Sequence, residues 1–399
     1  MFSRQELEKY ASVLMWALGA ARGKAYRRGE VVRIAFDADG LPLAEKVHRL
    51  CILAGLQPVV RLSDTHVMES SFYSLGKKDQ LRFMPAGTKE FNEKLNGSVF
   101  ILAPSSLTHL KGVDPSHISI AKRARKPFRD ILWRREEKGL FGWTVCAMPT
   151  KALAAKAGLS PAAYAAEIKK ACYLDRKDPV SEWKALFREA AGIKQWLTGL
   201  GIRSLRIESP SFDLKVTPGE KRQWIGVSGQ NVPSFEIATS PDWRGTEGSY
   251  YSDLPAYESG NFVKGVRVTF KKGRAVKVTA QAGEVFAAKM LATDPGAKQV
   301  GEFSLTDRRF SRISRFMAET LYDENFGGRY GNCHIALGAS YTDTYAGDPA
   351  SLTRVKKRAL GFNDSALHWD LVNTEKKTVT ARSRDGKERV IYENGIFKI

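Results

Sequence analysis

The chain has 399 residues, too many for one small core, and its 43% hydrophobic and 27% charged content is that of a soluble globular protein of about two domains. No stretch approaches the roughly 20 apolar residues needed to span a bilayer, and the four cysteines form no CxxC, which excludes a membrane span and a thiolate zinc site. Lys+Arg 63 against Asp+Glu 43 leaves a formal net charge of +20, but the basic residues fall in short clusters such as Lys122–Lys126 and Lys356–Arg358, and the expectation is a solvated basic surface rather than a nucleic-acid-binding one.

In the opening segment Leu7, Tyr10, Ala11, Leu14 and Leu18 recur at helical spacing. The segment is amphipathic, with neither an uninterrupted apolar core nor a small-residue cleavage site, so a cytoplasmic location with buried, reduced thiols is expected. VVRIAFDADG predicts a strand ending in turn residues, LPLAEKVHRLCILAGLQ a helix, PVVRLSD a second strand, and SVFILAPS another from about residue 98. Strand, helix, strand with short joints predicts a parallel sheet. Asp37 and Asp39 stand at the end of the first strand, where open α/β sheets bind ligands. They also suit the turn before Gly40, the reading adopted here, and no GxGxxG follows them.

Helices follow in SPAAYAAEIKKACYLD, with Ser160 as N-cap and Pro161 at the first helical position, and in DPVSEWKALFREAAGIKQWLTGLG, stopped by Gly201. Beyond this the texture changes. SLRIES, FDLKVTP, FVKGVRVTFKKGRAVKVTAQAG and TVTARSRDGKERVIYENG predict strands and hairpins turning at Lys272-Gly273 and Asp385-Gly386, with one or two helices among them. The expected architecture is an α/β amino-terminal domain with a parallel sheet, residues 1–200, and a mainly antiparallel α+β carboxy-terminal domain, residues 201–399.

Of the six histidines, His334 and His368 fall in the second half. In LHWDLV, His368 and Asp370 are two apart on a predicted strand and project from one face, half a metal site by local geometry alone. The same pattern fits a core histidine beside a surface aspartate. TLYDENFGGRYGNCHIALGASY holds Asp323, Glu324, His334 and Tyr341, with Gly327, Gly328 and Gly331 making a mobile or tightly turned loop between the acids and the histidine. Glu236 and Glu302 sit among apolar residues, where a carboxylate needs either a metal or a basic partner. Asp242, Trp243, Arg244 and Glu247 either line a pocket or brace a loop through an Arg–carboxylate pair.

NVPSFEIATSPDWRGTEG, VGEFSLTDRRFSRIS, MAETLYDENFGGRYGNCHIALGASY, LGFNDSALHWDLV and the GDP at 347–349 resemble, in that order, the thermophilic aminopeptidase family of metallopeptidases, the aminopeptidase T and aminopeptidase S type. The likeness extends back through GWTVCAMPTKALAAKAGLSPAAY and KACYLDRKDPVSEW, so it covers most of the chain. It implies that Glu236, Glu302, Glu324, His334, His368 and Asp370, all in the carboxy-terminal domain, hold the metals and that Tyr341 faces the reaction centre. Two departures stand out: Phe235 occupies a position that is acidic in some relatives, and the GGRYG segment is an insertion relative to shorter ones.

The resemblance implies a metallo-aminopeptidase that releases amino-terminal residues from peptides with a free amino terminus. Oxygen and imidazole ligands without thiolate suit Zn, Co, Mn or Mg. Four carboxylates balance the charge of two divalent metal ions per chain, and a water shared between two such ions loses its proton near neutral pH and serves as nucleophile. Tyr341 is expected to donate to the oxyanion and Glu302 to carry the proton to the leaving amine. A homodimer is expected from the family. The alternatives are a two-metal phosphoesterase or nuclease, and a non-catalytic basic protein that binds nucleic acid.

Overall fold

The computed structural model describes residues 2–399 and divides them into two compact units, residues 2–187 with Val227–Ser234 and Met317–Leu321, and Arg188–Gly226 with Phe235–Phe316 and Tyr322–Ile399. Two segments distant in sequence thus join the amino-terminal unit.

That unit is built on a five-stranded parallel sheet in the order Gln57–Leu62, Val31–Phe36, Gly97–Leu102, Gly142–Ala147, Asn231–Val232. The first helix, Arg4–Arg22, starts at a capping box in which Ser3 accepts from the Glu6 amide and Glu6 reaches back to the Ser3 amide. Its apolar stripe of Leu7, Tyr10, Leu14 and Leu18 is buried, and the Tyr10 hydroxyl donates to the Ala147 carbonyl at 3.1 Å. Asp37 closes the end of its strand: its carboxylate accepts from the Ala103 amide at 2.8 Å and ties the Val31–Phe36 strand to the loop after Gly97–Leu102. The turn itself is closed by the backbone, the Gly40 amide donating to the Asp37 carbonyl at 2.7 Å. All four cysteines are buried free thiols, and no helix among the described residues is long and apolar enough to cross a membrane.

The second unit carries two antiparallel sheets. The larger has eight strands, ordered Arg274–Thr279, Val266–Lys271, Glu247–Ser252, Phe212–Val216, Ile202–Ser209, Thr378–Ser383, Glu388–Glu393, Ile396–Phe397. The smaller has four, ordered His368–Asn373, Asn332–Gly338, Val300–Thr306, Glu236–Thr239. Tyrosines of the larger sheet pin the smaller one: the Tyr250 hydroxyl donates to the Cys333 and Leu371 carbonyls, each at 2.8 Å, and Tyr392 donates to the Thr306 carbonyl at 2.7 Å. One face of the smaller sheet is buried and mostly apolar, with Ile237, Phe303, Leu305, Ile335, Leu337, Trp369 and Leu371. Here the sequence underestimates the helices. Glu284–Leu291, Thr320–Asp323 and Arg354–Ala359 all occur in the carboxy-terminal half, and the last two are too short to print an apolar period.

Candidate metal centre

Strand alternation carries the chemistry to the other face of the four-stranded sheet. In the central pair Glu302 stands opposite Ala336 and Ser304 opposite His334. On the next strand Asp370 stands opposite Ala336 and His368 opposite Gly338. At the far side Glu236 stands opposite Thr306. Side chains two apart share a face, so Glu236, Glu302, His334, His368 and Asp370 all project from the face opposite the apolar one. The positions between them are small: Ala336 and Gly338 leave the hollow into which the longer side chains lean.

Distances bear this out. His334 Nε2 lies 3.4 Å from Glu236 Oε2 and 3.9 Å from Asp370 Oδ1, and His368 Nε2 lies 3.3 Å from Glu302 Oε2 and 3.5 Å from Asp370 Oδ1. Glu324 comes from the loop after the Thr320–Asp323 helix. Three overlapping groups have ligand atoms within 4.8 Å of one another: Glu236, Glu302 and His334; Glu302, His368 and Asp370; Glu324, His334 and Asp370. All six residues implied by the resemblance therefore meet in one place, and Glu302, His334 and Asp370 each belong to two groups. Asp323, next to Glu324 in the chain, joins none of them. Tyr341 stands at the rim of the cluster, its ring edge-on to His368 with centroids 4.9 Å apart and its hydroxyl 3.4 Å from His368 Nε2.

The electrostatics are those of crowded carboxylates in a buried site. Burial, and then the charges of Glu302 and Asp370, push the Glu236 carboxyl well above its usual 4.5. Burial alone would lower His368, but Asp370 and Glu302 hold its imidazolium well above the usual 6.5. Burial opposes ionisation of Asp370 too, yet His368 keeps it below its usual 3.8. Glu236, Glu302 and Asp370 have the two histidines as their nearest nitrogen neighbours, and Asp370 Oδ1 is buried with no donor in hydrogen-bonding geometry. A buried carboxylate oxygen with no donor is costly. A hard cation supplies what the protein does not, so this donor set, all oxygen and imidazole, fits divalent metal ions.

Residues that no single motif singled out hold the ligands in place. The Ser304 hydroxyl donates to Glu236 Oε2 at 3.3 Å. The Asn325 amide donates to Glu324 Oε1 at 3.4 Å, while its oxygen accepts from the Phe235 amide at 2.5 Å, next to Glu236. Asn332 donates to the carbonyls of Glu324 and Phe326, at 2.9 and 2.7 Å, and clips the acidic loop to the sheet. The Ser240 hydroxyl accepts from the Tyr341 amide at 2.8 Å. The glycine-rich segment is tightly turned: Gly331 has φ +58°, and a Cβ there would meet the Tyr392 hydroxyl and the Thr306 carbonyl. Asp242 and Arg244 resolve as a brace, joined by 2.8 and 2.6 Å hydrogen bonds, and Glu247 accepts from the Lys272 amide at 2.7 Å.

With this geometry in view, the comparisons with known proteins decide the family. The model of the thermophilic metalloprotease (M29) family matches residues 3–397. The chain belongs to the M29 metalloproteases. As an M29 chain it is similar to aminopeptidase PepS of Streptococcus thermophilus, 26% identical over 99% of this chain and 98% of that protein. It is also similar to aminopeptidase T of Thermus aquaticus, 28% identical over 73% and 74%. Its fold matches wild-type AmpT from Thermus thermophilus with a TM-score of 0.77 and 21% identity, covering 98% of this chain and 99% of that one. The α/β half with its parallel sheet and the antiparallel, sheet-rich half are thus a fold this chain shares with that structure.

Proposed function

We propose that this M29 chain is an aminopeptidase that releases amino-terminal residues from peptides, with two divalent ions held by Glu236, Glu302, Glu324, His334, His368 and Asp370. The observation that carries the reading is the overlap of the three ligand groups through Glu302, His334 and Asp370: residues shared between groups suit two neighbouring cations better than one. Four carboxylates match the charge of two divalent ions, and each histidine serves a different side of the cluster. The names of the relatives support the substrate class.

When bound, the metals supply Lewis-acid polarisation of the scissile carbonyl and a water acidified to near neutral pH. The protein's own groups do the rest. Tyr341 is held protonated, because burial, and then the surrounding carboxylates, push its hydroxyl well above 10. At neutral pH it is a donor, suited to the oxyanion of the tetrahedral intermediate. Glu302, buried and 3.3 Å from His368, is assigned the proton transfer to the departing amine. The carboxylates also provide anchors for the substrate's free α-ammonium. We infer a cytoplasmic homodimer on the strength of the four buried, reduced thiols and the family likeness.

The test is to supply the purified protein with Mn, Co or Zn and compare an unblocked peptide, its N-acetylated twin and a phosphodiester. Stepwise release from the unblocked peptide alone, abolished by chelation, is expected. Cleavage of the phosphodiester alone would replace this reading with a phosphoesterase, and nucleic-acid binding without hydrolysis would replace it with a basic binding protein.

A further inference from the structure

One face of the parallel sheet in the amino-terminal unit carries two arginines with no acidic partner among the described residues. Arg33 stands opposite Val59 on one neighbouring strand and Ser98 on the other. Two residues on, Ala35 stands opposite Arg61 and Phe100. Alternation therefore puts Arg33, Arg61, Ser98 and Phe100 on the same face, opposite the buried Val32, Ile34 and Phe36.

Arg33 is half-buried. Its Nε donates to the Ser98 hydroxyl at 3.1 Å, and its two terminal nitrogens have no acceptor among the described residues. Arg61 lies over the Phe91 ring, 5.8 Å from the centroid, and no carboxylate pairs with it among the described residues. Burial, and then the like charge of Arg61, hold the Arg33 guanidinium below its ordinary value. A partly desolvated cation beside a second cation is unfavourable unless an anion joins them. The groups on offer are all donors: the outer edge of the Arg33 fork, the Arg61 guanidinium, and the Ser98 proton, since the Ser98 oxygen is the acceptor in its bond to Arg33. Planar guanidinium forks match the oxygens of phosphate-like anions in two-point contacts.

We propose that Arg33, Arg61 and Ser98 form a binding site for a tetrahedral oxyanion of the phosphate type, a ligand site in the amino-terminal unit that is independent of the peptidase reading. The net charge of +20 draws such anions to the surface, and the unpaired arginines provide the specific seat.

Inorganic sulfate, which is compatible with divalent metals, is the probe. Calorimetric titration of the metal-loaded protein is expected to give saturable binding of one sulfate. Binding is expected to disappear in Arg33→Met and to weaken by at least about tenfold in Arg61→Met, with peptidase activity unchanged in both. In anion-free buffer Arg33→Met should melt no lower than the parent, because it removes an uncompensated charge, and sulfate should raise the melting temperature of the parent only. Competition by inorganic phosphate and by phenyl phosphate separates a free anion from a phosphate ester. Absence of saturable sulfate binding, or affinity unchanged in Arg33→Met, overturns the proposal. Should Arg33→Met fail to fold, the exposed Arg61→Met decides, and unchanged affinity there overturns it equally.

Discussion

Glu302 and Asp370 flank Ala336, one on each neighbouring strand and both in register with it. Their α-carbons are therefore two strand spacings apart, roughly 9–10 Å, and their carboxylates meet at His368 only because nothing larger than a methyl group stands between them. Ala336→Leu fills that gap. It is expected to cost about 1–3 kcal/mol in stability through overpacking and to remove bound metal almost completely. Metal analysis after gel filtration, alongside thermal melting, checks this, and a variant that folds and keeps its full metal content would show that the hollow has no role.

The shared ligands should matter more than their number suggests. Asp370 belongs to two of the three groups and contacts both histidines. Asp370→Asn and His334→Ala are each expected to lower kcat/KM by at least about a hundredfold and to reduce metal content, since loss of one shared ligand weakens both positions. Full activity in either variant would dismiss the assignment of the centre.

Acidity should act in opposite directions on the metal-free and metal-loaded protein. In the metal-free protein Glu236 is raised above 4.5 and His368 above 6.5, so the folded state binds more protons than the unfolded chain. Their contribution is complete below those usual values and is lost as pH rises through the raised ones. Melting temperature of the metal-free protein should therefore fall from about pH 5 to pH 8 on account of these two groups, and Glu236→Gln should flatten that slope. Metal uptake displaces the same protons, so metal affinity should rise over the same interval, with protons released on binding. Melting curves with and without chelator across this range are the measurement, and parallel slopes would refute the account.

Tyr341→Phe removes a hydroxyl that lies 3.4 Å from His368 Nε2 and leaves the ring contact with that histidine intact. Stability and KM should change little. A drop in kcat of about 10²–10³, or roughly 2.7–4 kcal/mol, is the expectation for a lost oxyanion donor. An unchanged kcat would make Tyr341 a packing residue that merely orients His368.

Much of the fold is legible locally. The Ser160 and Pro161 helix start and the turns at Lys272-Gly273 and Asp385-Gly386 are written in neighbouring residues, because each satisfies backbone groups within a few positions. The spacing of His368 and Asp370 needs only strand alternation to put them on one face. The short helix Arg354–Ala359 was not legible, since six residues are fewer than two helical turns and its Thr353 cap resembles any loop threonine.

By itself the sequence determined which side chains share a face of each strand, because that depends on a two-residue period within one segment. Only the tertiary structure decided that Glu236, Glu302, His334 and Asp370 stand over the same hollow, that Ala336 makes the hollow, and that Asn231–Val232, distant in sequence, joins the parallel sheet of the amino-terminal unit. Register between strands is a relation among segments tens of residues apart. It is set by which apolar rows can be buried together against the opposing sheet, and no local pattern encodes it.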